Sequence, residues 1–164
     1  MNLIDQIFLK AIAYDAGDPA RIQHFVKVHG FARQIGRAEG LDDEMQRILE
    51  IAAVLHDIGI HASEEKYGDC IGKHQEELGP GVARALLADT EVIEEETERI
   101  CYLIAHHHTY SSMDGMDYQI LVEADFLVNM FEDNMSSDRM QHIYKTIFRT
   151  ATGRQICRDM FQIE

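Results

Sequence analysis

Apolar residues recur every three or four positions along most of the chain, which predicts helices and no convincing strand pair. Leu3, Ile4, Ile7, Phe8, Ala11 and Ile12 form one face of a helix over residues 2–15. Gly17-Asp18-Pro19 then reads as a stop and a start: Asp18 is a good N-cap residue and Pro19 suits the first helical position. Ile22, Phe25, Val28, Phe31, Ala32 and Ile35 keep the spacing as far as Glu39, where Gly40 fits the C-cap. Asp42 or Asp43 opens a third helix, and its apolar run from Ile48 to Leu55 ends on His56-Asp57. Residues 58–72 are polar and aperiodic, predicting a long connection. Further helices are expected over about 73–88 (broken or kinked at Gly79-Pro80), 91–105, 117–132, 136–149 and 152–160. Residues 106–116 form a loop rich in His, Ser and Gly. The expected fold is a compact, irregular all-α bundle.

The length of 164 residues suits one domain with one core, and no linker or repeat divides it. With 46% hydrophobic and 27% charged residues the composition is that of an ordinary globular protein. No apolar run of about 18 residues predicts a membrane span. The start, Met1-Asn2-Leu3-Ile4-Asp5-Gln6, lacks the basic segment of a signal peptide, so the expected compartment is the cytoplasm. Cys70, Cys101 and Cys157 are an odd number without metal-finger spacing, in keeping with reduced thiols. A net charge of -14 argues against nucleic acid as partner, because that affinity comes from clustered Lys and Arg. It leaves room for a small anionic substrate where a metal supplies local positive charge. The last two helices, with Ile143, Tyr144, Ile147, Phe148, Met160 and Phe161, either cover the core or form a dimer surface, so monomer and homodimer both stay open.

Chemistry concentrates at His56-Asp57. A carboxylate at the end of a buried helix is expensive unless a charge or a metal compensates it. A divalent cation satisfies imidazole and carboxylate together. Two further residues break the apolar pattern in the same way. His24 shares a helix face with Val28 and Phe31, and alone would read as a core histidine bonded to a carbonyl. Asp125 interrupts the run from Ile120 to Val128, and the plainer reading, half of a buried salt bridge or a side-chain cap for a neighbouring helix, is the weaker one for it. His106-His107-His108 sit at a helix C-terminus, where histidines also occur for electrostatic reasons alone. Lys27, Arg33, Lys66, Lys73 and Arg84 are candidate phosphate contacts that read better as solvated charges, and His29 and His142, with no motif around them, read as surface or boundary residues.

The ordered set resembles the HD superfamily of metal-dependent phosphohydrolases over roughly Arg21 to Asn129. The matching elements are Arg21-Ile22-Gln23-His24 at a helix start and Leu55-His56-Asp57-Ile58-Gly59 after an apolar helix. The Gly79-Pro80 helix, Ile104-Ala105-His106-His107-His108 and Glu123-Ala124-Asp125-Phe126-Leu127-Val128-Asn129 complete them. The resemblance implies a bundle of the HD-domain type spanning 1–164, with C-terminal helices over 136–162 packed on the motif region. It implies one divalent transition metal ion (Fe, Mn, Ni, Co or Zn) bound by His24, His56, Asp57 and Asp125. His107 and His108 align with the paired histidines of two-metal relatives, and His61, His74 and His106 are further candidates for a second position that stays open. The implied activity is hydrolysis of a phosphate ester, of a nucleotide or a related small phosphorylated metabolite, by metal-activated water. Asp57, His107 and His108 are the catalytic candidates, with Asp57 or a second carboxylate taking the proton. The alternatives are a nucleotide- or metal-binding sensor module of the same fold without turnover, and a bundle that a metal merely staples. A lid is expected from residues 59–73 or 109–117, long polar segments beside the site.

Overall fold

The computed structural model describes residues 1–163, and among them the secondary structure is entirely helical. The helices are α1 (Leu3–Tyr14), α2 (Pro19–Glu39), α3 (Asp43–Leu55), α4 (Ile60–Tyr67), α5 (Gly72–Leu87), α6 (Glu94–Ile104), α7 (Met116–Glu132), α8 (Ser137–Thr146) and α9 (Ala151–Phe161). The fold is the all-α bundle that the periodicity predicts. Its early boundaries fall where the capping residues place them: Asp18 accepts the Arg21 N–H, Asp42 accepts the Met45 N–H, and Gly40 closes α2 in the left-handed region at φ 79°. None of the helices is long and apolar enough to cross a membrane.

The apolar run of α3 explains the architecture. Ile48 to Leu55 is buried on every side, so this helix takes the centre, packed by α1, α2, α6 and α7. The second apolar run, Ile120 to Val128 on α7, packs against both α2 and α3. His24, His56-Asp57 and Asp125 therefore come from three helices in mutual contact. At the far end α9 packs on α2 and α7.

Three segments differ from the periodicity. Residues 60–67 form α4 rather than loop; only Ile60 and Ser63 of its eight residues are buried, too few to mark a face in the sequence. Tertiary bonds hold it instead: Ser63 Oγ donates to Asp69 O at 2.8 Å, and Lys66 and Tyr67 both reach Glu77. Helix α5 runs unbroken through Pro80. Glycines let its neighbours approach closely there: a Cβ on Gly59 would lie 2.7 Å from Gly79 N, and one on Gly79 2.7 Å from Ile104 Cγ2. Helix α8 stops at Thr146, short of Arg149, because the buried Glu123 carboxylate takes the next backbone donors. Glu123 accepts from Arg149 N at 2.6 Å, Thr150 N at 3.0 Å and Thr150 Oγ1 at 2.5 Å, and α9 begins there.

Candidate metal centre

His24, His56 and Asp57 bring ligand atoms close enough together for one ion, and Asp125 adds a carboxylate beside the two imidazoles. His24 Nε2 and His56 Nε2 are 3.1 Å apart. Asp125 Oδ1 lies 3.2 Å from the first and 3.4 Å from the second, and Asp57 Oδ2 lies 3.4 and 3.5 Å from them. His24, His56 and Asp125 are buried; Asp57 keeps a 17% exposed side chain, so the cluster opens to solvent on its side.

The outer contacts of the imidazoles decide where their hydrogens are. His56 Nδ1 is 2.8 Å from Ala53 O, and His24 Nδ1 is 2.8 Å from Glu132 Oε2. A carbonyl or carboxylate oxygen accepts only, so both Nδ1 atoms carry the hydrogen and both Nε2 atoms present lone pairs. Two imidazole nitrogens and two carboxylate oxygens thus face one another with lone pairs alone. Metal–ligand bonds of about 2.0–2.2 Å set neighbouring ligand atoms roughly 3–3.5 Å apart, which is the spacing found. The outer partners match as well, since ligating histidines commonly donate their other N–H to a carboxylate or a carbonyl. The residues therefore fit a divalent transition ion.

Without a cation a proton must do the same work. Burial pushes the His24 pKa down, but the hydrogen bond to Asp125 and the charges of Asp57 and Asp125 raise it to about 9. His56 is shifted the same way: burial opposes its charge, and Asp57 and Asp125 more than offset that. Burial alone would raise both carboxyls. The His56 and His107 partners of Asp57, and the His24 and His56 partners of Asp125, hold them well below the usual carboxylate range.

Asp57 faces two ways. Its Oδ1 lies 3.3 Å from Nε2 of the buried His107, whose Nδ1 donates to Ile104 O at 2.7 Å. A ring nitrogen of His108 joins them, so that Asp57, His107 and His108 form a second ligand-like group sharing Asp57 with the first. Burial and the neighbouring His107 lower the His108 pKa to about 4, so its ring is neutral near pH 7. Tyr118, buried on α7, fixes the turn that carries these histidines by donating its hydroxyl to His106 O at 2.6 Å and reaching Thr109 O. Arg99 anchors the far end of that loop on Asp114 and Asp117.

The remaining candidates lie elsewhere. His106 donates to Tyr102 O and stacks on the Tyr102 ring, away from Asp57. His74 pairs with Asp69 and stacks on Tyr67. His61 contacts Asp15 and Arg21. His29 binds the buried Glu50 at 2.9 Å, and His142 is exposed. Lys27, Lys66 and Arg84 pair with Glu132, Glu77 and the Glu94 and Glu98 pair, while Arg33 approaches Glu50 at 3.8 Å. Lys73 is exposed on the first turn of α5, beside the Gly72 backbone that packs on His108. Residues missed by the pattern include Glu132, behind His24, and Asn129, which donates to Asp125 Oδ1 at 2.9 Å. Spacing carried a signal for Asn129, four residues beyond Asp125 and so on the same helix face.

Comparison with known proteins agrees with this geometry. The family model described as HD domain matches residues 21–151. A solved crystal structure titled as a predicted HD superfamily hydrolase, from an uncultured Thermotogales bacterium, is similar to this chain at 25% identity with a TM-score of 0.69. The match covers 96% of this chain and 84% of the other. No curated protein matches. With the His-Asp cluster inside the matched segment and its bundle similar to a relative over nearly its whole length, the chain belongs to the HD domain family, a family of metal-dependent hydrolases.

Proposed function

We propose that the protein hydrolyses a phosphate ester, as a phosphomonoesterase or phosphodiesterase, on a nucleotide or a related small phosphorylated metabolite. The observation that carries this reading is the meeting of His24, His56, Asp57 and Asp125, whose imidazoles donate their Nδ1 hydrogens to outer acceptors and so turn lone pairs toward the carboxylates, an arrangement that suits a divalent cation. Such an ion supplies Lewis acidity, polarising a phosphoryl oxygen and lowering the pKa of water toward neutrality. Asp57, His107 and His108 hold the second, shared position. One ion would be held at the first group, and the group at Asp57 would offer a position for a second.

The protein residues have distinct tasks in this reading. Asp57 stays ionised and is the most solvent-accessible member of the cluster, and it or a second carboxylate is proposed to take the proton that the attacking water gives up. His107, fixed through Ile104 O, presents its Nε2 lone pair beside Asp57 Oδ1. His108 stays neutral and offers a lone pair rather than a charge. Lys73, exposed next to Gly72 on the first turn of α5, is the cation proposed to meet the phosphate charge. The overall charge of -14 then disfavours anionic polymers while leaving this local site receptive to a small anion.

The test is elemental analysis of protein purified without chelator or affinity-column metal, with a phosphoester panel run on the same sample. The expected result is one to two transition ions per chain with phosphate release, both lost in Asp125→Ala. Metal without turnover on any phosphoester would replace this reading with the sensor module. Full turnover in metal-free Asp125→Ala would refute it outright.

A further inference from the structure

We propose that Gln75 and Glu76, early on α5, are positioning residues that present His108 as a ligand to the second cation, with Asp57 and His107; this rests on the reading of the site as a two-cation centre. The argument starts from the Gln75 side chain, which is buried. Its amide nitrogen donates to Cys70 O at 2.5 Å, an acceptor only, so the orientation of the amide follows and Oε1 is the atom that faces His108. Oε1 lies 3.1 Å from His108 Nε2. An amide oxygen cannot donate, so the hydrogen of the neutral ring sits on Nε2, and Nδ1 is left as the lone pair.

The ring has one free edge. A Cβ on Gly72 would fall 2.8 to 3.0 Å from His108 Cγ, Cδ2 and Cβ, so the Gly72 backbone covers that side closely. Gln75 occupies Nε2, and the Nδ1–Cε1 edge remains. Glu76 fixes the backbone beneath: its Oε1 accepts both the His108 N–H at 3.0 Å and the Thr109 hydroxyl at 3.0 Å. One turn of α5 therefore determines the tautomer, the ring direction and the main chain of a residue that α6 delivers. This is the arrangement by which outer partners tune a metal ligand, and losing such a partner costs about 10- to 100-fold in metal affinity. A larger side chain at Gly72 would displace the ring, and an apolar one at Gln75 would let the tautomer revert.

The experiment is Co(II) titration of metal-free protein, followed by calorimetry and visible absorption, in the natural sequence, Gln75→Leu and Gln75→Glu. The natural protein is expected to bind two ions. Gln75→Leu is expected to bind the first unchanged and the second 10- to 100-fold more weakly, with the absorption of the second ion altered. Gln75→Glu keeps an acceptor facing Nε2 and is expected to restore the second ion to within a few-fold. Two ions bound equally well by Gln75→Leu and the natural protein would overturn the inference alone. A natural protein that binds a single ion would overturn the two-cation reading with it. Nitrogen-15 NMR of the histidines in the metal-free natural protein is independent of any variant's folding: hydrogen on His108 Nε2 supports the proposal, and hydrogen on Nδ1 overturns it.

Discussion

Metal loading should rise steeply with pH, because a cation and a proton compete for one lone pair. In the metal-free protein the pKa of His24 is raised to about 9 by Asp125 and Asp57 against the effect of burial. Its Nε2 lies 3.1 Å from the equivalent atom of His56, so the proton it carries must leave when a cation takes that lone pair. Below about pH 9, apparent affinity should therefore increase about tenfold per pH unit, about 1.4 kcal/mol each, and at pH 7 it should stand about 100-fold under its limit. Stability of the metal-free protein should move the opposite way. A histidine whose folded pKa exceeds its unfolded value of 6.5 contributes stability that is complete below pH 6.5 and disappears as pH rises through about 9. The shift corresponds to about 3 kcal/mol at most. Thermal unfolding with and without Zn(II) or Co(II) across this window should give a metal-free midpoint that falls and a metal-dependent increment that grows. Calorimetry near pH 7 in two buffers of different ionisation enthalpy should count about one proton released per first ion bound. Affinity independent of pH, or no proton release, would refute the lone-pair account of the cluster.

Glu132→Gln weakens the carboxylate that takes the His24 Nδ1 hydrogen, so first-ion affinity should fall about 10- to 100-fold with the fold intact, measured by competition with a chelator dye. Glu123→Ala strands the backbone N–H groups of Arg149 and Thr150 at the α8–α9 junction. At about 1–3 kcal/mol for each buried donor left unpaired, denaturant melts should show a loss of about 3 kcal/mol or more without loss of bound metal. Gly59→Ala places a methyl group 2.7–2.8 Å from the α5 backbone at Gly79 and Gln75, two residues past Asp57. It should cost about 1–3 kcal/mol and impair both metal binding and hydrolysis, and an unchanged variant would contradict the close packing of α4 on α5. Lys73→Ala should raise KM for a phosphoester while leaving metal content alone, checked by kinetics beside elemental analysis.

How far the sequence exposes this site follows from how each residue breaks a pattern. His24, His56, Asp57 and Asp125 were legible because a polar group inside an apolar helix is an anomaly that needs a partner, and such anomalies on three helices can be one another's partners. The helices themselves were legible where periodicity and capping agreed, as at Asp18 and Gly40. Helix α4 was hidden because it buries two residues and is held by Glu77 and Asp69 from α5 and the turn before it, which local spacing does not record. The end of α8 was hidden for a related reason, since Glu123 lies far away in sequence and reads there as one more of the chain's 29 acids. The outer partners were hidden most completely. Glu132 and Gln75 are unremarkable on exposed-looking positions of amphipathic helices, and only folding brings each to the far nitrogen of a histidine. Ligand sets can thus be read from buried anomalies, whereas the residues that set tautomer and ring direction come from helices whose own patterns are satisfied without them. A relative that keeps His24 and His108 but loses Glu132 or Gln75 would retain the visible motif and lose affinity at the corresponding ion.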